Sequence, residues 1–190
     1  MSKVNPRVDI IFKKIFGVDE NKDLLISLVN TFVSQEDQVV DVTLLNSYNL
    51  QEFSGDKFSI LDIKAQGSNG RLFNVEIQQS READYDKRAL YYWTKLYTSQ
   101  LQQKKDYDEL SKAIVIHILK FIALPQEKKY HNVFHLREKD SGLVYFKDME
   151  LHTIELNKFL NDPKAQLKDV LKKAKTALDR WEALRSTRIS

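Results

Sequence analysis

Apolar residues recur at helical spacing from the start of the chain. Ile10, Ile11, Phe12, Ile15 and Phe16 line one side of a short helix over Val8 to Phe16, which Gly17 is placed to cap. Leu24, Leu25, Leu28, Val29 and Phe32 repeat the pattern in a second helix, Asp19 to Ser34. The pattern then becomes strand-like in three runs, Val39 to Tyr48, Lys57 to Gln66 and Arg71 to Gln79, with a turn around Ser54-Gly55-Asp56 before the second. Helical spacing returns from Ala83 to Gln102, where Tyr85, Ala89, Tyr92, Leu96 and Ser99 form a stripe widened by Trp93 and Tyr97. Ala113 to Ile122, "AIVIHILKFI", is nearly all apolar and β-branched, as a strand buried on both faces requires. Tyr130 to Arg137 and Leu143 to Ile154 read as a strand pair joined through Lys139-Asp140-Ser141-Gly142. Asp162 and Pro163 then open a terminal helix, with Leu167, Val170, Leu171, Ala174, Leu178, Trp181 and Leu184 on one stripe.

This order is α, α, β, β, β, α, β, containing an αβββαβ core and followed by a strand pair and a C-terminal amphipathic helix. Three meandering strands and a helical crossover to a buried strand imply an α/β fold with a mixed central sheet. A right-handed crossover places the Ala113 strand parallel to the Arg71 strand. Only 5 Gly and 3 Pro occur in 190 residues, which leaves little room for linkers. The expectation is therefore one domain over 1–190, with its core at about 8–125 and the strand pair and last helix over 126–190.

The second and third strands form a hairpin around Gly67-Ser68-Asn69-Gly70, and side chains alternate across it. Leu61, Ile63 and Ala65 share one face with Phe73, Val75 and Ile77. The other face takes Ile60, Asp62 and Lys64 with Leu72, Asn74, Glu76 and Gln78. If Ser68, Asn69 and Gly70 form the loop, Asp62 lies opposite Glu76 and Lys64 opposite Asn74. A five-residue loop keeps that parity, and a two-residue loop breaks it. Opposed carboxylates repel, so water, Lys64 or a divalent cation must offset the cost. Two acids and a carbonyl suit Mg²⁺ or Mn²⁺; a plain solvated face is the other reading.

Charge and composition narrow the classes. Without cysteine there are no disulfides, thiolate zinc sites, iron–sulfur clusters or Cys nucleophiles. No apolar run reaches the roughly 20 residues of a bilayer span, and no leader-like segment precedes Arg7, so a cytoplasmic protein without a membrane partner is expected. The net charge of +3 divides into +5 from Lys164 to Ser190 and −2 over the rest. Such a tail fits either a solvated helix face or a nucleic-acid backbone. His131 and His135 face one way on a strand but lack a completing zinc ligand, and the Tyr91, Tyr92, Trp93 and Tyr97 cluster fits a core better than a base-stacking platform.

The order of elements, with "VDIIFKKIFG" (Val8 to Gly17), "LDIKA" (Leu61 to Ala65), "NVEIQQS" (Asn74 to Ser80) and "KRALYYWTKLYTSQL" (Lys87 to Leu101), resembles the PD-(D/E)XK nuclease superfamily. Within it, these stretches are similar to the Rpn branch of recombination-promoting nucleases and related transposases. The resemblance covers roughly the first 125 residues. It implies a restriction-endonuclease-like core and Mg²⁺-dependent endonuclease activity on DNA, with Mn²⁺ as an alternative ion. It implies Asp62 and Glu76 as metal-binding acids and the Ile77 carbonyl as third ligand. Gln78 stands where the superfamily carries a lysine, Asp9 matches an acid lining the site, and Arg88 and Tyr92 fall on the helix beside the sheet. Lys64 is placed to supply the charge that Gln78 lacks, or only to offset the acids. A homo-oligomer is compatible with the pattern. The alternatives are a catalytically inactive nuclease fold that binds DNA or protein, and an inactive remnant of a mobile element.

Overall fold

A computed structural model of the protein describes residues 6–46, 48, 49, 59, 60, 62–101 and 106–159, with side chains for 11–46, 62–101 and 106–158. The expected turn at Ser54-Gly55-Asp56, the expected terminal helix from Asp162 and the Asp9 side chain lie outside what is described.

Helix α1 (Pro6–Phe16) packs on α2 (Lys22–Phe32), and both lay their apolar stripes on one face of a sheet. The sheet holds six of the strands described: β1 (Val42–Leu45), β4 (Ile63–Gly67), β5 (Leu72–Gln78), β6 (Ala113–Leu119), β7 (His131–Phe134) and β8 (Met149–Glu155). Its spatial order is β1-β4-β5-β6-β8-β7. Pairing is antiparallel from β1 to β5, parallel for β5–β6 and β6–β8, and antiparallel for β8–β7. Helix α3 (Tyr85–Thr98) crosses the other face between β5 and β6, and the short α4 (Leu156–Phe159) follows β8.

The sheet is mixed and β6 is central, parallel to β5 and buried at every residue. Phe73, Val75, Ile114, Ile116 and Ile118 meet α1 and α2, while Leu72, Ala113 and Val115 meet Trp93 and Leu96 of α3. The hairpin register matches the three-residue loop, with Ala65 opposite Phe73 and Lys64 opposite Asn74. Gly70, at φ 82°, makes the turn. A Cβ at Gly67 would come within 2.4 Å of Val39 Cγ1, so the hairpin can approach that residue only as glycine.

Several expected elements are shorter, for local reasons. The second helix starts only at Lys22, after a 3-10 turn at Asp19–Asn21. Val39 is drawn out of the first strand because the Asn30 amide bonds both its N–H (2.9 Å) and its C=O (2.8 Å). Trimming also affects the long helix, which stops at Thr98 while Gln100 exchanges two 2.9 Å hydrogen bonds with the Ser111 backbone. The Lys57–Gln66 run is divided: Ser59–Ile60 (β3) pairs with Tyr48–Asn49 (β2) in a separate sheet, and β4 begins at Ile63. The late strand pair joins the central sheet, since β8 lies parallel to β6 and places β7 at the edge.

One end of this scaffold is tied by buried charge. Asp37 accepts from Lys112 Nζ (2.7 Å) and pairs with Arg71 Nε (2.6 Å). Lys112 also bonds Glu150 (2.7 Å), Glu150 meets His152 Nε2 (2.6 Å), and His152 Nδ1 meets His131 Nε2 (2.9 Å). Burial, then the neighbouring His152, pushes His131 down to about 4 from its ordinary 6.5. Burial works to raise Glu150, but hydrogen bonds from His152 and Lys112 prevail and hold it at about 2. Both groups have depressed folded-state values. Their contribution is complete above the unfolded values and is lost as pH falls. Urea midpoints should therefore decline as pH drops from 6.5 towards 4, and His131→Phe, which keeps a ring on Phe32, should flatten that decline; an unchanged slope refutes the assignment.

Candidate active site

The polar face of the hairpin lies beneath α3. Asn74 and Glu76 are 0% and 2% exposed, which excludes a simple wet face. Alternation along β5 puts Asn74, Glu76 and Gln78 on this side, while Phe73 and Val75 fill the opposite core. A buried carboxylate needs partners. Asn74 Nδ2 donates to Glu76 Oε1 (2.9 Å) and Gln78 Nε2 to Oε2 (3.1 Å). Arg88 Nη2, one turn into α3, donates to Gln78 Oε1 (2.7 Å), and its other terminal nitrogen holds Glu82. Gln78 thus links a guanidinium to a carboxylate. The cation comes from α3, and the neutral amide fixes the direction.

Glu76 is nevertheless pushed up to about 7. Burial is the largest cause and the Asp62 charge adds to it; Asn74, Gln78 and Arg88 act in the opposite direction. Asp62 sits in a bend immediately before β4. Its Oδ2 accepts the Ile77 amide at 3.0 Å, the position a further rung of the β4–β5 ladder would occupy. This side-chain cap explains why β4 starts at Ile63. Gly67 N–H donates to Arg71 C=O, so odd-numbered β5 residues turn their backbone groups towards β4, and the Ile77 carbonyl lies on the side of Asp62. Lys13 of α1 approaches Asp62 Oδ1 at 3.4 Å.

The remaining expected residues distribute around this pair. Lys64, lowered by burial, donates to Ser99 Oγ (3.0 Å) at the C-terminal end of α3, the opposite end from Arg88. Tyr92 is half-buried and raised, by burial first and then by the charge of Glu76; Asp62 contributes as well, which places its hydroxyl in their field. Asp9 is on α1, one turn before Lys13. Trp93 and Tyr97 are packed, with rings stacked at 5.0 Å and Trp93 Nε1 on the Ala113 carbonyl. His131 and His135 do not share a ligand set: the first bonds His152, and the second stands 3.8 Å from Glu150. Four further participants emerge: Lys13, Asn74, Tyr85 and His117. His117 was detectable as the lone ionisable residue between Ala113 and Leu119, and Asn74 as a member of the polar face.

Among the described residues no group of three or more His, Asp or Glu side chains converges on a metal position. The site offers two carboxylates and a carbonyl, all hard oxygen donors. That set fits Mg²⁺ or Mn²⁺, which retain several waters of their own.

A folded-state value above the ordinary 4.5 means that Glu76 stabilises the fold below pH 4.5 and that this contribution is lost as pH rises through about 7. The interval corresponds to about 3 kcal/mol. With chelator present, Glu76→Gln should gain on wild type as pH rises, approaching that margin by about pH 8. Asn74 can accommodate the new amide, because its Oδ1 has no hydrogen-bond partner. A margin that does not vary with pH in chemical denaturation would contradict the shift.

A family model for PD-(D/E)XK nuclease family transposases matches residues 6–187. No curated protein matches the chain. The mixed sheet, with acids on a central hairpin and a crossover helix above them, is consistent with that family's fold, and the match supports a nuclease-type hydrolytic function. With 6–187 spanning nearly all of the sequence, the chain belongs to the PD-(D/E)XK nuclease family transposases.

Proposed function

We propose that the protein is a divalent-metal-dependent DNA endonuclease that hydrolyses phosphodiester bonds in recombination or transposition, working in the cytoplasm. One observation carries this reading: Glu76, buried under α3 and raised to about 7, lies in the field of Asp62, in the bend that precedes β4. A sheet has no structural need for such a pair, and perturbed acids concentrate where charge is used.

Asp62, Glu76 and the Ile77 carbonyl would hold Mg²⁺, or Mn²⁺ in its place. Such an ion, when bound, would supply Lewis acidity towards a water and towards charge developing on the phosphate. Gln78, fixed by Arg88, keeps the Glu76 carboxylate in one orientation. Lys13 neutralises part of the Asp62 charge, and its ammonium is available to a phosphate oxygen once Asp62 is otherwise occupied. Asp9, one turn before Lys13, is the third acid of the site in this reading, with Lys64 and Tyr92 at its margin. The basic residues from Lys164 to Ser190 would contact the duplex backbone without reading its sequence.

A second reading follows from Gln78, which is neutral where the superfamily carries lysine: a nuclease fold that binds DNA without cutting it. Supercoiled plasmid incubated with and without Mg²⁺ or Mn²⁺ distinguishes the two. Cleavage should require the ion. Loss of an outer partner alone typically costs 10–100-fold, so Asp62→Ala and Glu76→Ala should each retain less than about one hundredth of wild-type cleavage. Asp9→Asn should abolish cutting with little change in melting temperature. Binding that survives in chelator without any cutting by wild type would favour the second reading.

A further inference from the structure

Glu76, His117 and Thr153 stand at one level of β5, β6 and β8, paired in register on the face that α3 covers. All three are buried. A row of polar side chains across the centre of a sheet needs a reason, since each one removed from water costs free energy unless it is satisfied. The His117 ring lies between two groups. Its Nδ1 is 2.9 Å from the Tyr85 hydroxyl of α3, and its Nε2 is 3.9 Å from Glu76 Oε2. Nε2 has no hydrogen-bond partner, although it is enclosed.

Elementary hydrogen-bond accounting fixes the protons. Burial keeps His117 neutral, pushing it down to about 3, and keeps the Tyr85 phenol protonated. A neutral imidazole carries one proton. On Nδ1, that proton would leave the Nε2 lone pair facing the Glu76 carboxylate. On Nε2, it faces the carboxylate while Tyr85 donates its own proton to Nδ1. With Glu76 ionised, above about pH 7, only the second arrangement aims a donor at every acceptor. At 3.9 Å the contact with Glu76 is electrostatic, and a shift of about 1 Å makes it a hydrogen bond.

Resting on the reading of Asp62 and Glu76 as a cation site, we propose that Tyr85 and His117 are a positioning pair for Glu76. Tyr85 sets the His117 tautomer, and the Nε2–H steadies Glu76 Oε2 from the interior of the sheet. Asn74 and Gln78 hold the carboxylate along β5, and His117 holds it across the strands. Neither residue touches a reacting atom; both act through Glu76.

Two measurements on the full chain test this. The first needs no metal: long-range proton–nitrogen NMR in chelator at about pH 8, where Glu76 is ionised, should find His117 neutral with its proton on Nε2, and a proton on Nδ1 overturns the pair. The second follows Mn²⁺ binding by electron paramagnetic resonance. His117→Leu should weaken binding by about 10–100-fold, the range for outer partners of a metal ligand. His117→Gln, which returns an N–H near the position of Nε2, should recover most of it. Tyr85→Phe should weaken binding in the wild-type background and have no effect in the His117→Gln background, because no tautomer remains to be set. Equal Mn²⁺ affinity in wild type and His117→Leu, or an equal loss from Tyr85→Phe in both backgrounds, refutes the proposal. If His117→Leu does not fold, the tautomer and the Tyr85→Phe comparison still decide. A wild-type protein that binds no Mn²⁺ overturns the cation reading and this role with it, whereas a proton on Nδ1 with intact Mn²⁺ binding removes only the pair.

Discussion

The desolvation of one carboxylate organises this side of the molecule. Glu76 lies on β5 with strands on both sides and α3 above. Burial favours its neutral form, and the surrounding groups are set against that preference: two amides donate to its oxygens, a guanidinium stands behind one amide, and a histidine edge faces it from the next strand. None of these is a direct salt bridge. A lysine or arginine bound straight to Glu76 would satisfy it fully and compete with any incoming cation. Dipoles leave the carboxylate held in place with its charge incompletely compensated, the condition under which a buried acid keeps affinity for a metal ion.

Asp62 meets a related constraint in another way. Where Glu76 is bonded by side chains, Asp62 is bonded by a backbone amide, and it interrupts the ladder to obtain that bond. The same event ends β4, sets the Ile77 backbone beside the carboxylate, and frees the preceding residues Ser59–Ile60 to pair with Tyr48–Asn49 elsewhere. Strand termination and site construction are thus one feature. Lys13 reaches Asp62 from α1, so the helix that covers the apolar face also contributes charge to the edge of the polar one.

Most of the fold was legible because it follows from period and turn chemistry. The alternation of Ile63, Ala65, Phe73 and Val75 with Lys64, Asn74 and Glu76 fixed both faces of the hairpin, and the Gly67 to Gly70 turn fixed its register. The apolar run from Ala113 to Leu119, broken only by His117, marked the centre of the sheet. What local pattern does not encode was harder to read. That β8 would lie parallel to β6, or that Asn30 would capture Val39, depends on tertiary partners. The two acids could be named from their spacing and from the family resemblance. Arg88 acting through Gln78 could not, because it joins positions ten residues apart through a helix whose placement had first to be known.

His117 shows where the sequence carried a signal that apolar periodicity obscures. In "AIVIHILKFI" a single imidazole is easily absorbed into a buried strand. An apolar residue would fit a two-sided buried position at no electrostatic cost, so a histidine there has to be accounted for by its neighbours. Register supplies the account, because the parallel pairing of β5 with β6 sets position 117 beside position 76 and no other acid of the hairpin. The crossover helix contributes as well: Tyr85 is the first residue of α3, delivered over β6 as the chain passes from the end of β5 to the start of its parallel neighbour. The β5–α3–β6 unit therefore does more than connect two parallel strands. Its first helical residue, its central strand and the acid on its leading strand meet at one point, so the topology that closes the core also brings together the polar groups beneath the site.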